Sequence, residues 1–356
     1  MSNNLNILQQ EAIELLKNLI ATPSFSKEEE KTAGIIAKLC ATKEIPATWV
    51  GNNIVAINQC FAEKKPTILL NSHHDTLKPN PQYTKDPFTP VVEEGKLFGL
   101  GSNDAGGCLV SLIATFLHFY DKENLKYNLI VAATAEEEIS GNGGVEYTLP
   151  YLPKIDCAIV GEPTQMQLAV AERGLMVIDC FSYGKAGHAA RNEGENAIYT
   201  ALKDIEWFRN YEFDKVSDLL GPSRMSVTVI ETENKAHNVV PAVCKFVVDT
   251  RINELYTFEE VVKIIKANVH CDVKPRSTRL RSTSIALNHP LVAAGINLGR
   301  SYYGSPTTSD KALMPFPSLK MGPGDSARSH TADEYIYIKE IEEGIELYIQ
   351  LLNQVL

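Results

Sequence analysis

Thr67-Ile68-Leu69-Leu70-Asn71-Ser72-His73-His74-Asp75-Thr76 passes from a short apolar run directly into two imidazoles and a carboxylate. A continuous apolar run of this length, bounded by turn residues, reads as a buried strand. The pattern recurs. Leu129 to Ala135 runs into Glu136-Glu137-Glu138, Cys157-Ala158-Ile159-Val160 into Gly161-Glu162-Pro163-Thr164, and Pro317 to Met321 into Gly322-Pro323-Gly324-Asp325. Ile54 to Ile57 adds another strand, and a helical stretch from Ala105 to Tyr120 separates two of them. The alternation predicts an α/β layer with a mostly parallel sheet. In open α/β sheets ligands bind beyond the carboxyl ends of the strands, and there the runs beginning at Thr67, Leu129, Cys157 and Pro317 each deliver a His or a carboxylate. Gly99-Leu100-Gly101-Ser102-Asn103-Asp104 places one more, Asp104, just before a helix.

Before this block, Leu5, Leu8, Ala12, Leu15, Leu16 and Leu19 recur at helical spacing. Ser26-x-x-Glu29 has the form of a capping box opening a second helix. From about Leu175 the texture changes to longer alternating segments, Leu175 to Tyr183, Met225 to Thr232 and Lys245 to Arg251. Between and after them come a helix from Asn196 to Asn210 and one opened by Thr257-x-x-Glu260 and running to Val269. That β-α-β-β-α-β order predicts a small antiparallel α+β insert. Beyond Asn288 the α/β texture returns, with a helix from His289 to Tyr302 and a last one from Tyr337 to Leu352. The expected organisation is a first domain of residues 1–173 and 285–356, interrupted by a second of residues 174–284.

A chain of 356 residues predicts about two domains, and 44% hydrophobic with 22% charged residues describes a soluble globular protein. The net charge of -10 repels a phosphate backbone, so nucleic acid is not an expected partner. The apolar runs are far short of the ~20 residues a membrane helix needs. Seven scattered cysteines with no C-x-x-C fit neither a disulfide framework nor a zinc ribbon. Met1-Ser2-Asn3-Asn4-Leu5-Asn6 has no basic and apolar leader pattern. Reduced thiols and a cytoplasmic location are expected.

Imidazole and carboxylate are what zinc and related divalent metals take when thiolates are absent, and metal pairs ~3.5–4 Å apart are typically bridged by a carboxylate. In an acidic triplet one Glu can bind metal while its neighbour stays free as a general base toward water. Such a set points to a hydrolase. Alone, Glu136 to Glu138 would be a solvated charge run or a helix first turn, His73-His74 a surface loop and Gly161-Glu162-Pro163 a turn. Their common position after predicted strands argues against independent accidents.

In these motifs the chain resembles the M20 metallopeptidases, in particular the group of acetylornithine deacetylase and succinyl-diaminopimelate desuccinylase. The family's H-x-D-T is similar to His73-His74-Asp75-Thr76. Its D-P-F and G-x-L-x-G-x-G-x-x-D are similar to Asp86-Pro87-Phe88 and Gly95 through Asp104, and its D-E-E to Glu136-Glu137-Glu138. The resemblance implies a zinc-peptidase-like catalytic domain with a ferredoxin-like lid that also carries a dimer interface. It implies two divalent metals per chain, zinc or cobalt: His73 and Glu162 on one, Glu138 and His330 on the other, Asp104 bridging. Asp75 would orient His73 and Glu137 would be the general base. Gly184-Lys185-Ala186-Gly187-His188 resembles the family's G-x-x-x-H, where the His steadies the oxyanion in the partner's site. Asn238 and Arg251 resemble lid residues that contact substrate, and Ser309-Asp310 a substrate-contacting loop. Without the family, His188 is a loop His and Arg251 a surface charge.

The chain also departs from the family. Leu100 stands where many members have Arg, Glu136 replaces Asp, and Leu77-Lys78-Pro79 follows the first motif where Val-Pro is common. The expected activity is removal of the acyl group from a small N-acyl amino acid, first N-acetylornithine. Alternatives are acetyl- or succinylcitrulline, a di- or tripeptidase or carboxypeptidase, and a catalytically dead scaffold.

Overall fold

The computed structural model describes residues 2–356, with side chains from Asn4 onward. Met1, part of the segment weighed above for a leader, lies outside the described residues. The chain divides into two compact units. One runs up to Val170 and continues with Ser284–Tyr303 and Ser309–Leu356; the other is Ala171–Thr283 with Gly304–Thr308.

In the first unit Thr67–His73, Asn128–Thr134 and Cys157–Val160 are buried along their whole length. Thr67–His73 pairs in parallel with both of the others, and Ser318–Lys320 continues in parallel beyond Cys157–Val160. Continuous apolar runs are what strands covered on both faces require. Antiparallel flanks complete the layer, Asn53–Ile57 on Asn128–Thr134 and Leu168–Glu172 on Ser318–Lys320. Leu168–Glu172 was not foreseen. Leu-Ala-Val-Ala-Glu is too short and too rich in alanine for its period to separate strand from helix. The helix Gly107–Phe119, apolar nearly all round, packs against the first helix, Ser2–Ile20, and the last, Ile338–Val355.

Two expectations are corrected. Ser26 and Glu29 do not cap the second helix, which begins at Glu30 without a side-chain cap; both serve the loops described below. The helix expected from His289 to Tyr302 is only Pro290–Asn297, and Tyr302–Ser305 is a strand. Gly299, at φ 76°, takes the left-handed turn that ends a helix, and the Arg300 amide reaches back to the Gly295 carbonyl.

The second unit holds a four-stranded antiparallel sheet in the order Arg224–Thr232, Val243–Ile252, Gly174–Tyr183, Asp272–Pro275. With helices Ala197–Asn210 and Phe258–Asn268 this is the ferredoxin-like arrangement, and Thr257 and Glu260 form the expected capping box. Phe208, Phe246, Val261 and Ile265 lie in its core. No helix among the described residues is long and apolar enough to cross a membrane.

Candidate active site

His73 closes its strand with Nε2 3.4 Å from Asp104 Oδ1 and 3.9 Å from Glu137 Oε2. Asp104 Oδ2 lies 3.5 Å from His330 Nε2, which is 3.1 Å from Glu138 Oε2. Each oxygen of Asp104 thus faces a different imidazole, the posture of a bridging carboxylate. Ligand atoms of His73, Asp104 and Glu138 all lie within 4.8 Å of one another, as do those of His73, Glu137 and Glu162. Tetrahedral bonds of about 2.0–2.2 Å set ligand atoms roughly 3.3–3.6 Å apart, and the pairs of Asp104 with His73 and His330, at 3.4 and 3.5 Å, fall in that range. His73 Nδ1 lies 3.1 Å from the Asp75 carbonyl and 3.3 Å from its Oδ1. Donation there leaves the Nε2 lone pair facing the site.

Asp75 does more than orient His73. Its carboxylate also accepts the amides of Glu137 at 3.0 Å and Glu138 at 3.2 Å, and the Ser26 hydroxyl at 2.7 Å. One buried carboxylate therefore couples the His73 strand to the acidic triplet. Within that triplet Glu136 turns away in a left-handed conformation, φ 56°, and accepts the Gly143 amide. Glu29, fully buried, takes the Glu136 amide and the Asn52 side chain. The second histidine of the pair is structural. His74 Nδ1 lies 2.9 Å from the Thr32 hydroxyl and Nε2 3.1 Å from the Asn52 carbonyl, and burial lowers its pKa to about 4.

Asp104 stands on a turn that sequence reading left without support. Gly101, at φ 73°, turns the chain where a β-carbon would meet Thr76. The buried Glu334 carboxylate accepts the amides of Asn103 at 2.8 Å, Asp104 at 2.9 Å and Gly101 at 3.2 Å. Asn103 exchanges side-chain hydrogen bonds with the Asp325 backbone at 3.0 Å each. Asp333-Glu334 looks like any exposed acidic pair in sequence, so only its place after His330 could have hinted at this. Glu334→Ala leaves three buried donors unpaired, at about 1–3 kcal/mol each, and should weaken metal binding roughly 10- to 100-fold. Glu334→Gln, able to keep the two bonds to Oε1 but not the one from Gly101, should fall between. Calorimetric metal titration with parental affinity in both variants would show that Asp104 needs no such mount.

The electrostatics also describe a site built for cations. Burial, compounded by the Glu162 charge, pushes Glu137 well above the carboxylate range. Burial likewise raises Glu162 to about 8 and Glu334 to about 8, and raises Glu138 against the pull of His330. His330 itself rises to about 9 through its bond to Glu138. Burial alone would lower His73, but Asp104 and Asp75 hold it well above the imidazole range. So many carboxylates crowd together favourably only with positive charge among them.

The remaining residues singled out in the sequence divide between the two units. Ser309 and Asp310 are buried in the first unit, where Asp310 accepts the Thr134 hydroxyl at 2.9 Å and burial raises it to about 7. His188, Asn238 and Arg251 belong to the second unit. His188 is exposed, and its Nδ1 accepts the Ala190 amide, which puts the neutral ring's proton on Nε2. The Asn238 carbonyl accepts the Ala189 amide, so the two residues are neighbours. Arg251 is held in a forked pair by Asp249, at 2.8 and 3.1 Å.

Fold and site together define a hydrolase of amide bonds whose donor set is made for metal ions. The chain belongs to peptidase family M20/M25/M40, whose profile matches residues 69–354. It is 24% identical to succinyl-diaminopimelate desuccinylase of Wolbachia pipientis over 96% of this chain and 92% of that one. It is 28% identical to acetylornithine deacetylase of Shigella sonnei over 96% and 97%. In fold it is similar to the M20 family metallo-carboxypeptidase Sso-CP2 from Sulfolobus solfataricus, with a TM-score of 0.75, 18% identity and coverage of 97% and 99%.

Proposed function

We propose that this chain is a two-metal deacylase of N-acyl amino acids, with ornithine and citrulline derivatives as the first candidates. The observation that carries the reading is Asp104 facing both His73 and His330, with Glu138 beside one imidazole and Glu162 grouped with the other. Zinc or cobalt bound there would polarise the amide carbonyl and acidify a water. The chain's own residues do the rest. Glu137, adjoining His73 but not engaged by His330, takes the proton from water and returns it to the leaving amine. Asp75 holds His73 and the Glu137 backbone in register.

In the lid, His188 offers its Nε2 proton to the oxyanion, Asn238 beside it contacts the substrate amide, and Arg251 takes a substrate carboxylate, oriented by Asp249. Ser309 and Asp310 back the same site from the first unit. The lid also carries the homodimer interface. In support, the edge strand Arg224–Thr232 exposes Val229 and Ile230, and the neighbouring helix exposes Tyr199 and Leu202. All seven cysteines are free thiols, which suits the cytoplasm.

The test is elemental analysis with a hydrolysis panel of N-acetyl and N-succinyl amino acids against di- and tripeptides. Two metals per chain and acyl amino acids as the best substrates are expected, with activity lost to chelator and restored by zinc or cobalt. Full activity in chelator without metal would sink the metal reading. Brisk turnover of peptides alone would replace the deacylase with the peptidase alternative.

A further inference from the structure

Next to Asp104, Glu138 and His330 opens a cavity of about 250 Å³. Its other wall is Thr76 to Tyr83, including the Leu77-Lys78-Pro79 segment that departs from the family pattern. Three polar groups on this wall have nothing to bond. The Thr76 hydroxyl and the Tyr83 phenol oxygen are buried without a hydrogen-bond partner, and the Tyr83 oxygen lies by the Glu334 backbone without proper bonding geometry. Burial and the Glu334 charge keep Tyr83 protonated, hence a donor. Lys78 has no ion pair or hydrogen bond among the described residues.

The acidic groups on the opposite wall are already committed. Asp104 and Glu138 face the histidines, Glu334 spends both oxygens on backbone amides, and the Thr331 hydroxyl donates to the Arg328 carbonyl. What remains to meet a ligand is the Lys78 ammonium, the two hydroxyls and the Asn80 side-chain nitrogen. Such a set offers donors to an acceptor such as a carboxylate. The cavity has room for a chain longer than a methyl group.

We propose that this cavity is the acyl subsite, and that Lys78, Tyr83 and Thr76 select an acyl group of succinyl length ending in a carboxylate over acetyl. The inference rests on the deacylase reading and names its substrate class. Lys78 donates a charge-assisted bond to the distal carboxylate while the hydroxyls fix its second oxygen.

The experiment compares N-acetyl and N-succinyl forms of ornithine, citrulline and diaminopimelate on the metal-loaded full chain. It also measures inhibition by free succinate and free acetate. The parent should favour the succinyl form of whichever amino acid it accepts, and bind succinate more tightly than acetate. Lys78→Met should cut the succinyl-to-acetyl ratio of kcat/KM by roughly 10- to 100-fold, the range lost with a hydrogen bond to a charged group, chiefly through KM. It should weaken succinate inhibition in step. Tyr83→Phe should act in the same direction but less, and Lys78→Arg should restore most of the ratio. A parent that prefers acetyl, or a Lys78→Met variant that lowers both series equally, would overturn this inference alone. Turnover of peptides with neither acyl series touched would take down the deacylase reading and this inference with it.

Discussion

Glutamine in place of Glu137 is expected to lower kcat by about 10²–10⁴-fold, the usual contribution of a general base, while both metals stay bound. The two glutamates keep different company: His330 Nε2 lies 3.1 Å from Glu138 Oε2, whereas Glu137 Oε2 lies 3.9 Å from His73 Nε2, with Glu162 in the same group. Glu138→Gln should therefore act through metal occupancy, and excess metal should recover part of its activity. Glutamine preserves the volume of glutamate, and the Asp75 bonds go to the backbone at 137 and 138, so neither variant disturbs the turn. Metal content by elemental analysis beside kcat at saturating metal separates the two. If Glu137→Gln lost metal and Glu138→Gln kept it, the roles within the acidic triplet would be exchanged.

Mixed dimers should show the second large effect. His188→Ala removes an oxyanion donor, a loss of about 10²–10³-fold in other hydrolases, and Glu137→Gln is nearly inactive for the reason above. When His188 acts in the partner's site, a hybrid of the two variants contains one intact site. Random re-assembly of equal amounts should then restore roughly a quarter of parental activity, since half the dimers are hybrids with one working site of two. The exposed imidazole, its Nε2 carrying the proton, is free to serve this way. No recovery on mixing, or a fully active monomer by sedimentation, would remove His188 from the partner's site.

The strands and their order of use were legible because they are local. Thr67 to His73 and Cys157 to Val160 announce themselves by apolar content between turn residues, and a parallel sheet aligns their carboxyl ends whatever else the chain does. That alignment is why His73, Glu137, Glu138 and Glu162 could be grouped before any coordinates. Asp104 was legible from its place just before a helix, and His330 only through the family resemblance. Ser26 and Glu29 show the limit of such reading. Their spacing matched a capping box, yet stronger partners far along the chain, Asp75 for one and the Glu136 amide for the other, claimed them.

Residue types and local periodicity by themselves determined a mostly parallel α/β sheet with an imidazole and carboxylates gathered at one edge. Which of two adjacent histidines faces that edge, which of three glutamates turns away, and that Glu334 holds the Asp104 turn were decided only by tertiary structure. The physical reason is that identical side chains differ only in what surrounds them. His74 is captured by Thr32 and the Asn52 carbonyl, Glu136 by the Gly143 amide, and Glu334 by three amides lying more than 200 residues earlier in the chain. Partners as distant as those of His74 and Glu334 leave no trace in the local sequence, because a buried polar group takes whichever complementary group the fold brings to it.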